Sequence, residues 1–319
     1  MMTLRALAAL LVFLATICAG GAVAQEPDRS DSGADLGRFD RPYAPGTPPT
    51  PQAAGASKDF RIVVTLPAYG TNNAIGSAAD ASGQAGPPDG HVTPDLLLRW
   101  LHQFSFVRLS ASVDASVDRF FTRTDQNTDS LYGSFKAAFT DGKSDLFVPY
   151  VAYSGTLDFG PGLTQWDDTL HSFYLGVTSG IGLRADGRMI AFQDATNPGD
   201  WSVSLDAAVG RRLANPSDFA NSFAVVSVDI IYNAREDLRF GITPTVRARD
   251  YGNYFGSPRH DLRLGWLARA EWTPDWLTRI NPGAELDFTV SFLHNRSSLA
   301  SANYSQWEGG PALVLSWRF

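Results

Sequence analysis

The sequence predicts an all-β fold, an antiparallel up-and-down β-barrel of about twelve strands that crosses a membrane. Three observations lead there. Val107, Leu109, Ala111, Val113, Ala115 and Val117 alternate with Arg108, Ser110, Ser112, Asp114, Ser116 and Asp118. This run is as long as the roughly 9–11 residues that a tilted strand needs to cross a bilayer. The same period of two returns along most of the chain, with turn residues between the runs. Finally, the chain is rich in Gly (29) and aromatics (Trp 8, Tyr 10, Phe 20), yet its mean hydropathy is only -0.12. A wall whose lipid-facing and lumen-facing residues alternate cancels in this way.

The chain begins with one basic residue, Arg5, then a mostly apolar run from Ala6 to Ala19 and the small residues Ala22-Val23-Ala24. This order is that of a secretory signal peptide over 1–24, cleaved after Ala24. Cys18, the one cysteine of the chain, leaves with it, so disulfides and a thiol nucleophile are not expected in the mature protein. Ile17 before Cys18 is too bulky for a lipoprotein cleavage site. The net charge of -7 argues against nucleic acid as a partner. Past the signal no stretch has about 18 consecutive apolar residues, so no membrane helix is expected. Residues 25–58, with Pro42, Pro45, Pro48, Pro49 and Pro51, lack periodicity and read as a disordered periplasmic arm. The barrel is expected over 59–319.

The first strand is Phe60 to Leu66, ended or bulged by Pro67. Tyr69 to Val92 reads as a long loop. Thr93-Pro94-Asp95 before Leu96-Leu97-Leu98 has a helix-start signal, so a helical turn is expected at the rim. After the strand at Val107–Val117 comes Leu131–Phe139, which turns at Asp141-Gly142 into Leu146–Asp158. Phe173–Leu183 follows, then a tight turn at Asp186-Gly187 and a short strand at Arg188–Gln193. Asn197-Pro198-Gly199-Asp200 turns into Trp201–Val209, and the next runs are Ala224–Tyr232, Leu238–Ala248, Leu262–Trp272 and Ala284–Phe292. Tyr251–Arg259 and Arg296–Gly310 read as longer connections. With the last strand this makes twelve when Arg188–Gln193 is counted, and an even number keeps both ends of the barrel on one side.

In the closing strand Leu313, Leu315, Trp317 and Phe319 share one face, against Ser316 and Arg318. A strand of this kind that ends on an aromatic residue resembles the last strand of Gram-negative outer-membrane β-barrel proteins. Arg259-His260-Asp261-Leu262 through Trp272-Thr273-Pro274-Asp275-Trp276-Leu277, with His294-Asn295-Arg296-Ser297-Ser298 and Tyr304, resembles the closing hairpins of β-barrel porin families. The resemblance covers roughly the last sixty residues and bears on fold more than activity. It implies an outer-membrane location, with lipid and lipopolysaccharide around the wall. It also implies that the barrel assembly machinery reads Leu313, Leu315, Trp317 and Phe319, and that the barrel is a channel for passive diffusion of small polar or anionic solutes. The alternatives are an export conduit for a polysaccharide or other polymer, a closed structural or adhesion barrel, and a lipid-modifying enzyme.

In a barrel the functional question belongs to the lumen-facing positions. Arg239, Arg247, Arg249, Arg263 and Arg269 come from two consecutive strands, Glu285 and Asp287 from the next, and Asp206 and Asp229 from the two before. Such a basic stripe flanked by acidic ones is expected to line a pore and set a transverse field. The bland alternative is that these charges pair and fill a narrow barrel. His294 with Ser297, Ser298 and Asp287 is the one hydrolase-like group, and Asn295 and Arg296 break the His-x-Ser pattern of outer-membrane phospholipases. His91, His102, His171, His260 and His294 lack metal-ligand spacing, so neither a metal nor a cofactor is expected. Trp201, Trp272, Trp276, Trp307 and Trp317 fall near strand ends, where a membrane interface would place them.

Overall fold

Strands account for most of residues 60–72, 88–140, 146–163 and 166–319, which the computed structural model describes. In chain order they are β1 (Phe60–Thr71), β2 (Asp89–Val92), β3 (Asp95–Gln103), β4 (Arg108–Phe120), β5 (Thr128–Ala138), β6 (Val148–Phe159) and β7 (Trp166–Leu183). There follow β8 (Met189–Ile190), β9 (Trp201–Asn215), β10 (Asn221–Arg235), β11 (Leu238–Tyr254), β12 (Ser257–Trp272), β13 (Ala284–Ser297) and β14 (Tyr304–Arg318). All described pairings are antiparallel, and wall neighbours in sequence are neighbours in space. The sheet closes where β1 pairs with β14, Arg61 opposite Arg318 and Thr71 opposite Glu308. Closure removes the sheet edges that would otherwise expose unpaired backbone groups to lipid.

Among the described residues the wall has twelve strands, as expected, but not the twelve expected from the sequence. β2 and β3 both lie between β1 and β4 and form one interrupted strand, whereas β8 pairs with β7 alone and stands outside the wall. Asp95–Gln103 is therefore strand and not a helical turn, and Arg188–Gln193 is not a wall strand. The cause of the first error is Pro94. Lacking an N–H, it breaks the ladder between β2 and β3, while its carbonyl still accepts a bond from Val117 N at 3.1 Å. Pro67 does not end β1, which runs on to Thr71, with Pro67 opposite Ala312 and its carbonyl accepting from Thr93 N. The signal segment 1–24, the arm 25–58, the middle of the 69–92 stretch and the Asp141-Gly142 turn lie outside the described residues.

Two expected long connections are short. β11 and β12 continue to a two-residue turn at Phe255-Gly256, both with positive φ (46° and 87°), the backbone that matches strand twist in a hairpin. β13 and β14 leave only residues 298–303 between them. The longest connection described in full, residues 184–200, lies at the rim that carries Phe60 and Phe319, called here the terminal rim. Asp186-Gly187 makes the expected tight turn there, with Gly187 at φ 84°, and Asn197–Asp200 makes the next, with Gly199 at φ 86°.

Burial follows the period of two. On β11, Phe240, Ile242 and Val246 are exposed on the outer face, whereas Arg247, Arg249 and Tyr251 are buried inside. On β9, Leu205, Val209 and Leu213 point outward and Asp206, Ala208 and Arg212 inward. In lipid, the outer set gains the apolar surroundings that its side chains need.

Candidate functional site

All nine charged residues expected on the lumen side occupy inner-face register positions. β11 and β12 bring most of them together. Arg247 lies directly opposite Arg263, Arg249 opposite Asp261, and Arg239 opposite Glu271. On the other side of β12, Glu271 lies opposite Asp287 on β13, and Arg263 opposite Asn295. Along the barrel axis these residues fall into two groups. Glu271, Glu285, Asp287 and Asp229 belong to the half nearer the terminal rim, together with Arg239 and Arg269. Arg247, Arg249 and Arg263, with Arg212 on β9 and Arg259 on β12, belong to the far half.

The terminal half is closely ion-paired. Arg269 Nε donates to Glu271 Oε1 at 2.9 Å, Nη2 to Asp229 Oδ2 at 2.9 Å and Nη1 to Thr243 Oγ1 at 3.1 Å. Thr243 in turn donates to Asp229 Oδ1 at 2.7 Å. Arg239 Nη2 stands 2.6 Å from Glu271 Oε2 and 3.6 Å from Glu285 Oε2. Gly241 makes room for this network, since a Cβ there would stand 2.9 Å from the Arg269 guanidinium.

In the far half Arg263 Nε donates to Asn295 Oδ1 at 3.2 Å, and Arg249 Nη1 to the Tyr251 hydroxyl at 3.4 Å. Arg259, unremarked in the sequence as a site residue, grips Asp261 with two bonds of 2.9 and 2.7 Å and lies over the Tyr251 and Tyr254 rings. Two opposite charges at i and i+2 on a strand share a face, and that spacing is the signal that could have found this pair. Arg247, Arg249, Arg263 and Arg269 are only 5, 3, 1 and 6% exposed. The interior at their level is therefore closely packed.

Asp206 on β9 belongs to a second group that includes Lys136 on β5 and Tyr150 on β6. Tyr150 on β6 donates to Asp206 Oδ1 at 2.8 Å, and Lys136 Nζ sits 3.7 Å from Oδ2 and 3.5 Å above the Tyr150 ring. Gly176 and Gly210 form recesses for the rings of Tyr150 and Phe223, which any Cβ would strike at 2.4 and 2.7 Å. The rings thus lie along the wall instead of standing across the lumen. Toward the far rim, His91 on β2 faces Asp118 on β4 at 2.7 Å and Glu308 on β14 at 3.4 Å, stacked on Phe120. No sequence signal marked His91, because its strand is four residues long and falls in what read as a loop.

Other expected residues are placed as follows. His294 is exposed on the outer face with Nδ1 2.8 Å from Ser305 Oγ, whereas Asp287, an odd number of residues away, faces inward. Ser298 Oγ accepts from His260 N and Ser297 Oγ from Leu299 N, so the hydrolase-like group does not assemble. Leu313, Leu315 and Trp317 lie on the outer face, and Phe319 N donates to Phe60 O at 3.0 Å where the barrel closes. Trp201 and Trp272 are exposed near the terminal rim. Trp307 packs with Phe292 and Trp266 in an outer-face patch. In the turns, Arg235 and Arg123 hold the carboxyls of Asp237 and Asp125 below the usual carboxylate range, each through a bidentate pair. Among the described residues no group of His, Asp and Glu is arranged to hold a metal ion.

No protein-family model and no curated protein matches the chain. Solved structures similar to it include the translocator domain of the autotransporter NalP from Neisseria meningitidis, at 12% identity over 84% of this chain and 91% of that one, with a TM-score of 0.41. The KdgM porin in complex with disordered oligogalacturonate is 10% identical over 80% of this chain and 99% of that one, with a TM-score of 0.39. An outer membrane channel from Pseudomonas putida F1 is 9% identical over 85% of this chain and 99% of that one, with a TM-score of 0.45. These proteins are outer-membrane β-barrels, and the likeness is one of fold.

Proposed function

We propose that the barrel resides in the outer membrane and is a narrow conduit for small anionic solutes, which its far half attracts. The observation that supports this reading best is the register position of Arg247 and Arg263, directly opposite each other on one inner face. Like charges placed opposite on a ladder cost stability. A positive inner surface that draws anions offers a functional reason for that cost. Arg212 and Arg249 extend the same surface toward the far rim, where Asp261 is held by Arg259.

Planar-bilayer recording under a salt gradient tests this. The wild-type protein is expected to show discrete openings and a reversal potential on the anion side. Arg247→Glu sets an opposite charge across from Arg263, so it is expected to fold and to move the reversal potential toward cations. An unchanged potential in a folded variant would reject the selectivity role of this pair. The deep burial of the arginines favours a second reading, a closed structural barrel, for which the bilayer stays silent.

In the same reading residues 1–24 act as the export signal and Leu313, Leu315, Trp317 and Phe319 as the assembly signal. Deleting Phe319 removes the outer-face aromatic and the bond to Phe60 at the seam. The expected result is a large fall in heat-modifiable, membrane-inserted protein on detergent gels, and normal insertion of the deletion variant would refute the signal.

A further inference from the structure

The connection between β7 and β9 does not stay outside the rim. β6 begins at Val148, opposite Thr178, so Ser179–Leu183 extend β7 beyond its neighbour. β8 pairs with that free edge through Ile190 and Met189. To reach β9 the chain must then cross β7, and it crosses on the inner side. Gly180 and Gly182 are opposite Ser204 and Ser202, inner-face positions of β9. A Cβ on Gly180 would meet the Phe192 ring at 3.0 Å, and one on Gly182 would meet Ala191 O, Ala195 Cβ and Ile190 Cγ1 at 2.8 Å. The turn Phe192–Asp194 therefore lies against the inner wall, in space that two missing side chains leave open.

The crossing is tied down at its return. Asn233 on β10 donates from Nδ2 to Ala195 O at 3.0 Å, and its backbone accepts from Gly199 N at 2.7 Å and donates to Asp200 O at 3.0 Å. Asp200, almost wholly buried, accepts from Arg184 Nη1 and from Asn197 N, both at 3.1 Å. A segment paired to β7 and bonded to Asn233 of β10 is a fixed part of the mouth.

We infer that the inward crossing Ile190–Ala195, led by Phe192, is a constriction at the terminal mouth that limits solute size and unitary conductance. The inference rests on the conduit reading. The physical basis is that an apolar side chain beside a narrow aqueous path both occupies cross-section and disfavours water.

Unitary conductance and uptake of neutral sugars of graded size are to be measured for the wild type, Phe192→Ala, Phe192→Trp and Gly180→Ala, each shown to be folded by its heat shift on a gel. Phe192→Ala is expected to raise conductance about two-fold or more and to admit larger sugars, as removal of a lining ring at a constriction should. Phe192→Trp, and Gly180→Ala, whose methyl would press on the Phe192 ring, are expected to lower it. Anion preference should not change, because Arg247 and Arg263 are untouched. If the wild type conducts and none of the folded variants differs from it, the constriction is refuted while the conduit reading stands. A silent wild type opened by Phe192→Ala supports both. Silence in the wild type and in folded Phe192→Ala alike overturns both.

Discussion

Arg269→Ala is expected to lower the stability of the folded barrel by about 3–5 kcal/mol, the cost of leaving buried charges without their partner. Arg269 is bonded at once to Glu271, Asp229 and Thr243, and its guanidinium lies over the bare backbone of Gly241. Removing it would leave Glu271 with Arg239 and deprive the partly exposed Asp229 of its cationic partner, while the bond between Arg269 and Glu271 is buried on both sides. The measurement is reversible urea unfolding of the reconstituted protein, read as a shift in midpoint at constant slope. Arg269→Met combined with Glu271→Gln and Asp229→Asn removes Arg269 and its two carboxylates together, leaves Arg239 to Glu285, and should recover part of the loss, because an apolar or neutral replacement of a buried ion-pair group is often tolerated. A loss below about 1 kcal/mol for Arg269→Ala is what a well-solvated pair would give. That outcome would show that water fills this level of the lumen and that the packed terminal half is not what holds the barrel together.

Val246→Arg is expected to cost about 2–4 kcal/mol, the penalty for arginine facing lipid at the bilayer midplane. Val246 is the central residue of β11, stands 47% exposed on the outer face and is flanked on that face by Ala248 and, beyond Pro244, Ile242. Thr245, one position away, faces the interior, so Thr245→Arg is the matched control and should cost less. Both are read by the same unfolding experiment. If Thr245→Arg carries the full penalty and Val246→Arg is harmless, the strand is inverted, since a slip of one residue exchanges every side chain between faces. This test is separate from the conductance measurements, because it asks which face meets lipid whether or not the barrel conducts.

Much of the wall was legible because facing is a local property. Arg239, Arg247 and Arg249 are odd-numbered neighbours of Phe240, Val246 and Ala248, and no knowledge of the rest of the chain is needed to assign them to opposite faces. The same parity separates His294 from Asp287, so the failure of the hydrolase-like group was readable in advance. Where a proline interrupts the run, local reading misled. Leu96, Leu98 and Trp100 do alternate with Leu97, Arg99 and Leu101, but Thr93-Pro94-Asp95 also fits the start of a helix, and only the pairing with β1 and β4 decides for strand. The number twelve came out right because this missed strand offset the short β8.

The alternation of the chain by itself determined an all-β barrel, the strands from Trp201 onward and the side of the wall on which each arginine lies. Tertiary structure alone decided which charges meet. Arg269 and Asp229 are forty residues apart and join only through the register of three strands, which also sets Arg247 against Arg263. It decided as well that residues 190–195 pass inside the barrel, because the space they occupy exists only where Gly180 and Gly182 of β7 come to face the lumen beside β9. Period-two patterning acts within a single strand, whereas register, ion pairing and the filling of a closed interior depend on which strands lie side by side.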